Sequence, residues 1–148
     1  MRVIVQKVNH AKVSIDQQTV GQIKQGFMLL VGFEDGDSDA ELDYLVHKII
    51  NLRVFEDSAG KMNLSLTDVG GAILSVSQFT LYADTKHGNR PGFSKAAKPA
   101  VAEPLYDRFN QKLAATGVHV ETGHFGADMQ VELENDGPTT IIYDTDNK

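Results

Sequence analysis

The sequence predicts an α+β fold, an antiparallel, barrel-like β-sheet with two main helices packed on it, in one domain spanning residues 1–148. Three observations carry that reading. From Val3 to Phe33 the chain is a series of short β-branched stretches broken by polar residues. Two segments switch to helical periodicity, and strand-like runs return after each of them. A chain of this length buries enough surface for a single core to hold it.

The strands of the first third are Val3 to Val8, Ala11 to Ile15, Val20 to Ile23 and Phe27 to Phe33, separated by Asn9-His10, Asp16-Gln17-Gln18 and Lys24-Gln25-Gly26; this spacing predicts an antiparallel meander. The first helix announces its start. Ser38 is followed three residues later by Glu41, the pattern of a capping box, and Leu42, Leu45, Val46 and Ile49 recur on one face with Asp43, His47 and Lys48 opposite. Val54 to Lys61 reads as a strand entering a glycine turn, and Asp68-Val69-Gly70-Gly71 as a turn before Ala72 to Phe79, the predicted central strand. Asp84 to Gly92, rich in Gly, Asn, Pro and cations, is a predicted exposed loop. The second helix is placed from Glu103-Pro104, with Leu105, Phe109 and Leu113 at four-residue spacing, to a stop before Gly117. Strands resume at Val118 to Glu121, Gln130 to Leu133 and Thr139 to Tyr143.

Composition narrows the function. The chain has no cysteine, hence no disulfide, thiolate nucleophile or thiolate metal site. No apolar run reaches the roughly 20 residues of a membrane helix, and Met1 to Gln6 lacks the apolar region of a signal peptide, so the reading places the protein in the cytoplasm without a membrane partner. A net charge of -6 argues against a general nucleic-acid coat and against a DNA partner. The charge is unevenly spread: Lys86, Arg90, Lys95 and Lys98 fall in an acid-free stretch, whereas the chain beyond Glu121 is acidic up to Lys148. Such a loop suits gripping a short polyanion, and equally suits a solvated surface.

The sequence lacks a Gly-x-Ser-x-Gly elbow, a His-Glu-x-x-His pair, a P-loop and a Rossmann glycine pattern. Its histidines, His10, His47, His87, His119 and His124, have no ligand spacing, so no metal and no other cofactor is expected. Two segments remain: Ser77-Gln78-Phe79-Thr80-Leu81 at the end of one predicted strand, and Asn135-Asp136-Gly137-Pro138-Thr139-Thr140 ahead of another. Small polar residues at a strand end can simply satisfy backbone groups. They can also offer main-chain N–H groups near Gln78 and Phe79 to a carbonyl that becomes an oxyanion, with Ser77 or Thr80 supplying a hydroxyl. A serine nucleophile needs a positioned base, and no histidine is near in sequence.

With these two motifs in this order, and with Gly123-His124-Phe125-Gly126-Ala127-Asp128-Met129-Gln130 between them, the chain resembles the D-aminoacyl-tRNA deacylases along its whole length. The resemblance implies a single deacylase-like domain that hydrolyses the ester of D-aminoacyl-tRNA, and glycine mischarged on tRNA, as a proofreading step of translation. It implies a homodimer with composite sites, in which a cis Gly137-Pro138 unit from one subunit enters the other's site and rejects L-amino acids by steric exclusion. Catalysis would lean on the 2′-hydroxyl of the substrate. Ser77, Gln78, Phe79 and Thr80 would be the catalytic segment, Asn135, Gly137, Pro138, Thr139, Phe125 and Met129 would bind substrate, and Lys86, Arg90, Lys95 and Lys98 would hold the acceptor end of tRNA. Two positions depart from the family pattern: Lys7, where arginine is common, and Gly92 in Arg90-Pro91-Gly92-Phe93, where serine is common. Two rival readings stand beside this one, a non-catalytic module binding a tRNA end and a generic small-ester hydrolase.

Overall fold

A computed structural model describes all 148 residues. Its organising element is β1 (Arg2–Ile15), a strand long enough to pair with three others. β8 (Gln130–Asp144) runs antiparallel along one edge, from Arg2 opposite Asp144 to Ser14 opposite Gln130. The other edge is shared by β2 (Gln18–Ile23) and β3 (Gly26–Gly32), which pair antiparallel with the second and first halves of β1. Beyond β3 come β6 (Ala72–Ser77) and β7 (Val120–Thr122), giving the order β2-β1-β3-β6-β7. The barrel nearly closes: a Cβ on Gly21 of β2 would stand 3.0 Å from the Thr122 carbonyl of β7, so any other residue would push the two strands apart by a few tenths of an ångström.

Several expected boundaries change. Val3 to Val8 and Ala11 to Ile15 are one strand, because the exposed Asn9-His10 pair sits at register shifts of the β1–β8 ladder and bends the strand without ending it. Likewise Gln130 to Leu133 and Thr139 to Tyr143 belong to one strand. The predicted meander is replaced by two strands in line against β1, and the sheet is mixed: β3 with β6, and β6 with β7, pair in parallel. Parallel neighbours need a crossover connection. The two long helices, α1 (Asp39–Ile50) and α3 (Pro99–Ala115), lie in those crossovers. α3 begins at Pro99, ahead of the expected Glu103, and carries Pro104 inside its early turns, where burial of Ala102 and Leu105 offsets the lost backbone hydrogen bond. A short α2 (Leu66–Val69) and a hairpin of β4 (Phe55–Glu56) and β5 (Met62–Leu64) complete the chain.

The core has two layers. Val3, Val5, Phe27, Leu29 and Ile73 face Leu42, Leu45 and Ile49 of α1 and Leu105, Phe109 and Leu113 of α3. Val8, Val13, Ile23, Met28, Leu74 and Val76 fill the barrel. The two-residue period of β6 divides Ile73 and Leu74 between these layers. The capping box forms as expected: Ala40 N–H donates to Ser38 Oγ, and Ser38 N–H donates to Glu41 Oε2 at 2.7 Å. Outside the core, Arg108–Asp39 and Lys112–Asp43 pairs link the helices at 3.0 and 2.8 Å.

Candidate active site

Because β3 and β6 are parallel, their C-terminal ends finish side by side. Gln78 N–H donates to the Val31 carbonyl at 2.7 Å, and the chain then turns into a 3₁₀ segment, Phe79–Tyr82. Gly32 permits the close approach, since a Cβ there would lie 3.0 Å from the Gln78 carbonyl. Arg2 holds the turn from outside: its guanidinium donates to the Leu81 carbonyl at 2.8 Å, lies 4.4 Å from the centre of the Tyr82 ring, and is itself paired with Asp144 at 3.0 Å. The Tyr82 hydroxyl donates to Glu34 at 3.2 Å, and burial pushes its pKa up, out of any titrating role.

A cavity of about 530 Å³ opens beside this turn. Ser77, Gln78 and Phe79 form one wall, Phe93, Lys98 and Pro99 a second, and Phe125, Ala127 and Met129 a third. Phe79, 57% exposed, meets Phe93 edge to face with ring centres 5.0 Å apart. The lining is mostly apolar, and it contains no histidine and no carboxylate. A Ser77 nucleophile would therefore find no histidine or carboxylate in this lining, whose one titratable side chain is Lys98. The Gln78 side-chain amide donates to Thr80 Oγ1, which ties the hydroxyl to the turn. The expected donor at Gln78 N–H is already bonded to Val31; the N–H groups of Phe79 and Thr80, which open the 3₁₀ turn, have no backbone acceptor.

The second motif lies elsewhere. Asn135 is a hub: it accepts from Thr139 N–H at 2.7 Å and its amide donates to Gln6, which also accepts from the Thr140 hydroxyl. Between these anchors Gly137 and Pro138 are exposed, their peptide bond is cis, and Gly137 has φ +128, a left-handed value that favours glycine. Lys7, 7% exposed at its side chain, pairs with Asp136 at 3.4 Å and lies 5.4 Å from the Phe55 ring centre. None of Asn135, Gly137, Pro138 or Thr139 lines the cavity of their own chain.

Of the expected tRNA-contacting residues, Lys98 is in the cavity wall. Lys86 and Arg90 are exposed in a loop whose base is closed by the reciprocal Asp84–Gly92 backbone bonds of 2.7 and 2.9 Å, and Lys95 is exposed between that loop and α3. Sequence reasoning missed Gly32, Phe93 and Arg2. Phe93 carried a signal, an aromatic in a polar loop; Arg2 carried none, because its partner Leu81 is 79 residues away.

The sequence model of the D-Tyr-tRNA(Tyr) deacylases matches residues 4–144. The chain belongs to that family. It is 74% identical over 144 residues to proteins named D-aminoacyl-tRNA deacylase from Limosilactobacillus reuteri strain DSM 20016 and Limosilactobacillus reuteri subsp. reuteri strain JCM 1112, covering 97% of this chain and 99% of each relative. Among solved structures, the c-Myc DNA Unwinding Element Binding Protein is 40% identical with a TM-score of 0.92, over 98% of this chain and 99% of the other. A probable eukaryotic D-amino acid tRNA deacylase, 23% identical with a TM-score of 0.83 over 96% and 97% of the two chains, shares the fold. This deacylase is thus a hydrolase of aminoacyl-tRNA, and no helix in it is long and apolar enough to cross a membrane.

Proposed function

We propose that the protein hydrolyses D-aminoacyl-tRNA and glycine mischarged on tRNA, rejecting L-amino acids, in a homodimer whose sites are completed across subunits. The observation that carries this is a division of labour within the chain. The cavity is lined by Ser77, Gln78 and Phe79 without a histidine or carboxylate, the 3₁₀ turn beside it leaves the Phe79 and Thr80 N–H groups without backbone acceptors, and Gly137-Pro138 stands exposed and apart from it. A carbonyl seated at the turn would receive hydrogen bonds from those N–H groups as its oxygen becomes negative. Proton handling then falls to groups the substrate brings, and an aminoacyl ester on a terminal ribose brings a 2′-hydroxyl next to the ester.

Gly137-Pro138 from the partner subunit would cover the side of the cavity that one chain leaves open. A rigid glycine-proline surface admits the hydrogen of a D-amino acid's α-carbon and excludes the side chain of the L form, so side-chain identity is not read and glycine passes. The aromatic pair Phe79–Phe93 and the Phe125–Met129 wall offer contact surface for the terminal adenine, and Lys86, Arg90, Lys95 and Lys98 offer charge to the acceptor phosphates. Hydrolysis of D-tyrosyl-, L-tyrosyl- and glycyl-tRNA, with a 2′-deoxy D-tyrosyl substrate alongside, tests the reading. The expected result is turnover of the D and glycyl esters, little of the L ester, and a large loss on the 2′-deoxy substrate. No turnover identifies a binding module; equal turnover of both enantiomers identifies a generic esterase.

A further inference from the structure

The Phe125–Met129 wall is weakly tethered. Between Gly123 and Gln130 the only hydrogen bond made by residues 124–129 is Ala127 N–H to the His124 carbonyl, which closes a turn but ties it to nothing else. The segment is fixed at its start, where Gly123 N–H donates to the Ser75 carbonyl at 3.1 Å. The same carbonyl accepts the hydroxyl of Tyr106, from α3, at 2.7 Å. Tyr106 is 3% exposed, and its ring lies 6.0 Å from that of Phe125, tilted by 47°. Ser75 is two residues before Ser77, on the strand that delivers the Ser77-Gln78-Phe79 wall.

Resting on the deacylase reading above, we infer that Tyr106 is a positioning residue: its hydroxyl fixes the node where β6, α3 and the 123–129 segment meet, and its ring backs Phe125 against the substrate cavity. Two walls of one cavity are thereby set by one side chain that does not line it. Packing alone would be served by phenylalanine, since the Ser75 carbonyl already has the Gly123 bond; the hydroxyl adds a link from the helix to both walls. Met129 returns over Gly123, whose absent Cβ would meet its sulfur at 2.6 Å, so a shift at Gly123 is passed to Met129 as well.

The test compares wild type, Tyr106→Phe, Phe125→Leu and the double variant. Steady-state hydrolysis of D-tyrosyl-tRNA by Tyr106→Phe is expected to show KM raised about tenfold with kcat within about twofold, the split of lost binding geometry rather than lost chemistry. The two single effects on KM are expected to be less than additive, because Tyr106 acts through Phe125. Amide exchange followed by mass spectrometry, which needs no substrate, is expected to speed up in the 123–129 peptide through its hydrogen-bonded Gly123 amide in Tyr106→Phe while β1 is unchanged. Unchanged exchange at 123–129 overturns the assignment, as does a KM within twofold of wild type or full additivity with Phe125→Leu. A wild type that does not hydrolyse D-tyrosyl-tRNA would end the deacylase reading, and the exchange result would still decide the role of Tyr106.

Discussion

At the scale of single residues, Thr80 and Lys7 separate chemistry from support. Thr80 Oγ1 accepts from the Gln78 amide, and Thr80 is not part of the cavity lining. Thr80→Ala is therefore expected to slow D-tyrosyl-tRNA hydrolysis by less than about 100-fold, against the roughly 10⁶-fold loss on removing a true nucleophile. An acyl-enzyme trapped on Thr80 or Ser77 would contradict this. Lys7 sits almost buried under Asp136, next to Gly137-Pro138. Lys7→Met removes the ammonium that pairs with Asp136 and stands over the Phe55 ring, while Asp136, 42% exposed, remains solvated. The expected outcome is a Tm within about 4 °C of wild type together with a D-over-L preference reduced at least tenfold; the reverse pattern would make Lys7 merely structural.

At the scale of elements, α1 supplies a pH test. Hydrogen bonds from the Ser38 backbone N–H, then from the Ser38 hydroxyl, hold the Glu41 carboxyl below its usual value of 4.5. A lowered folded-state pKa gives stability that is present above the unfolded value and lost as pH falls through the folded one. The Tm difference between wild type and Glu41→Ala should thus be full at pH 7 and shrink below pH 4.5; a difference that does not change with pH would remove the capping box as its source. This cap was legible in the sequence because Ser38, Glu41 and the Leu42, Leu45, Val46, Ile49 stripe are all local. The long strands were not: Asn9-His10 and the stretch from Glu134 to Pro138 read as breaks because polar residues at bulges resemble loops. The parallel pairing followed from α1 and α3 lying between strands, a pattern present in the sequence but outweighed by the antiparallel start. The Asp84–Gly92 loop gives a second element-scale test. Lys86→Gln with Arg90→Gln should weaken every tRNA alike and lower the slope of log affinity against log salt by roughly 0.7 to 0.9 per lost phosphate contact, with Tm unchanged. An unaltered slope would make these two cations a solvated surface.

At the scale of the whole molecule, the two motifs were legible as words, but where they stand relative to each other was not. Ser77, Gln78 and Phe79 gather at the cavity with Phe125 and Met129 while Thr80 lies just outside its lining, whereas Asn135 to Thr139 occupy the middle of β8, outside the lining of their own chain. The parallel β3–β6 pairing brings Val31 and Gly32 beside Ser77 and Gln78 at the cavity, and pairing partners far apart in sequence leave no local trace. The proposal that a second subunit brings Gly137-Pro138 to that cavity makes oligomeric state and chirality one question. Gly137 has φ +128, and a Cβ there would collide with the Thr139 side chain and stand 3.0 Å from its backbone N, so Gly137→Ala displaces this loop without touching the cavity wall. The most direct measurement is the ratio of D- to L-tyrosyl-tRNA hydrolysis rates, with oligomeric mass recorded on the same samples, for wild type and Gly137→Ala. The expected result is a dimeric wild type with strong D preference and a dimeric variant whose ratio collapses by at least tenfold. A monomeric active wild type, or a variant with its full D preference, would contradict it.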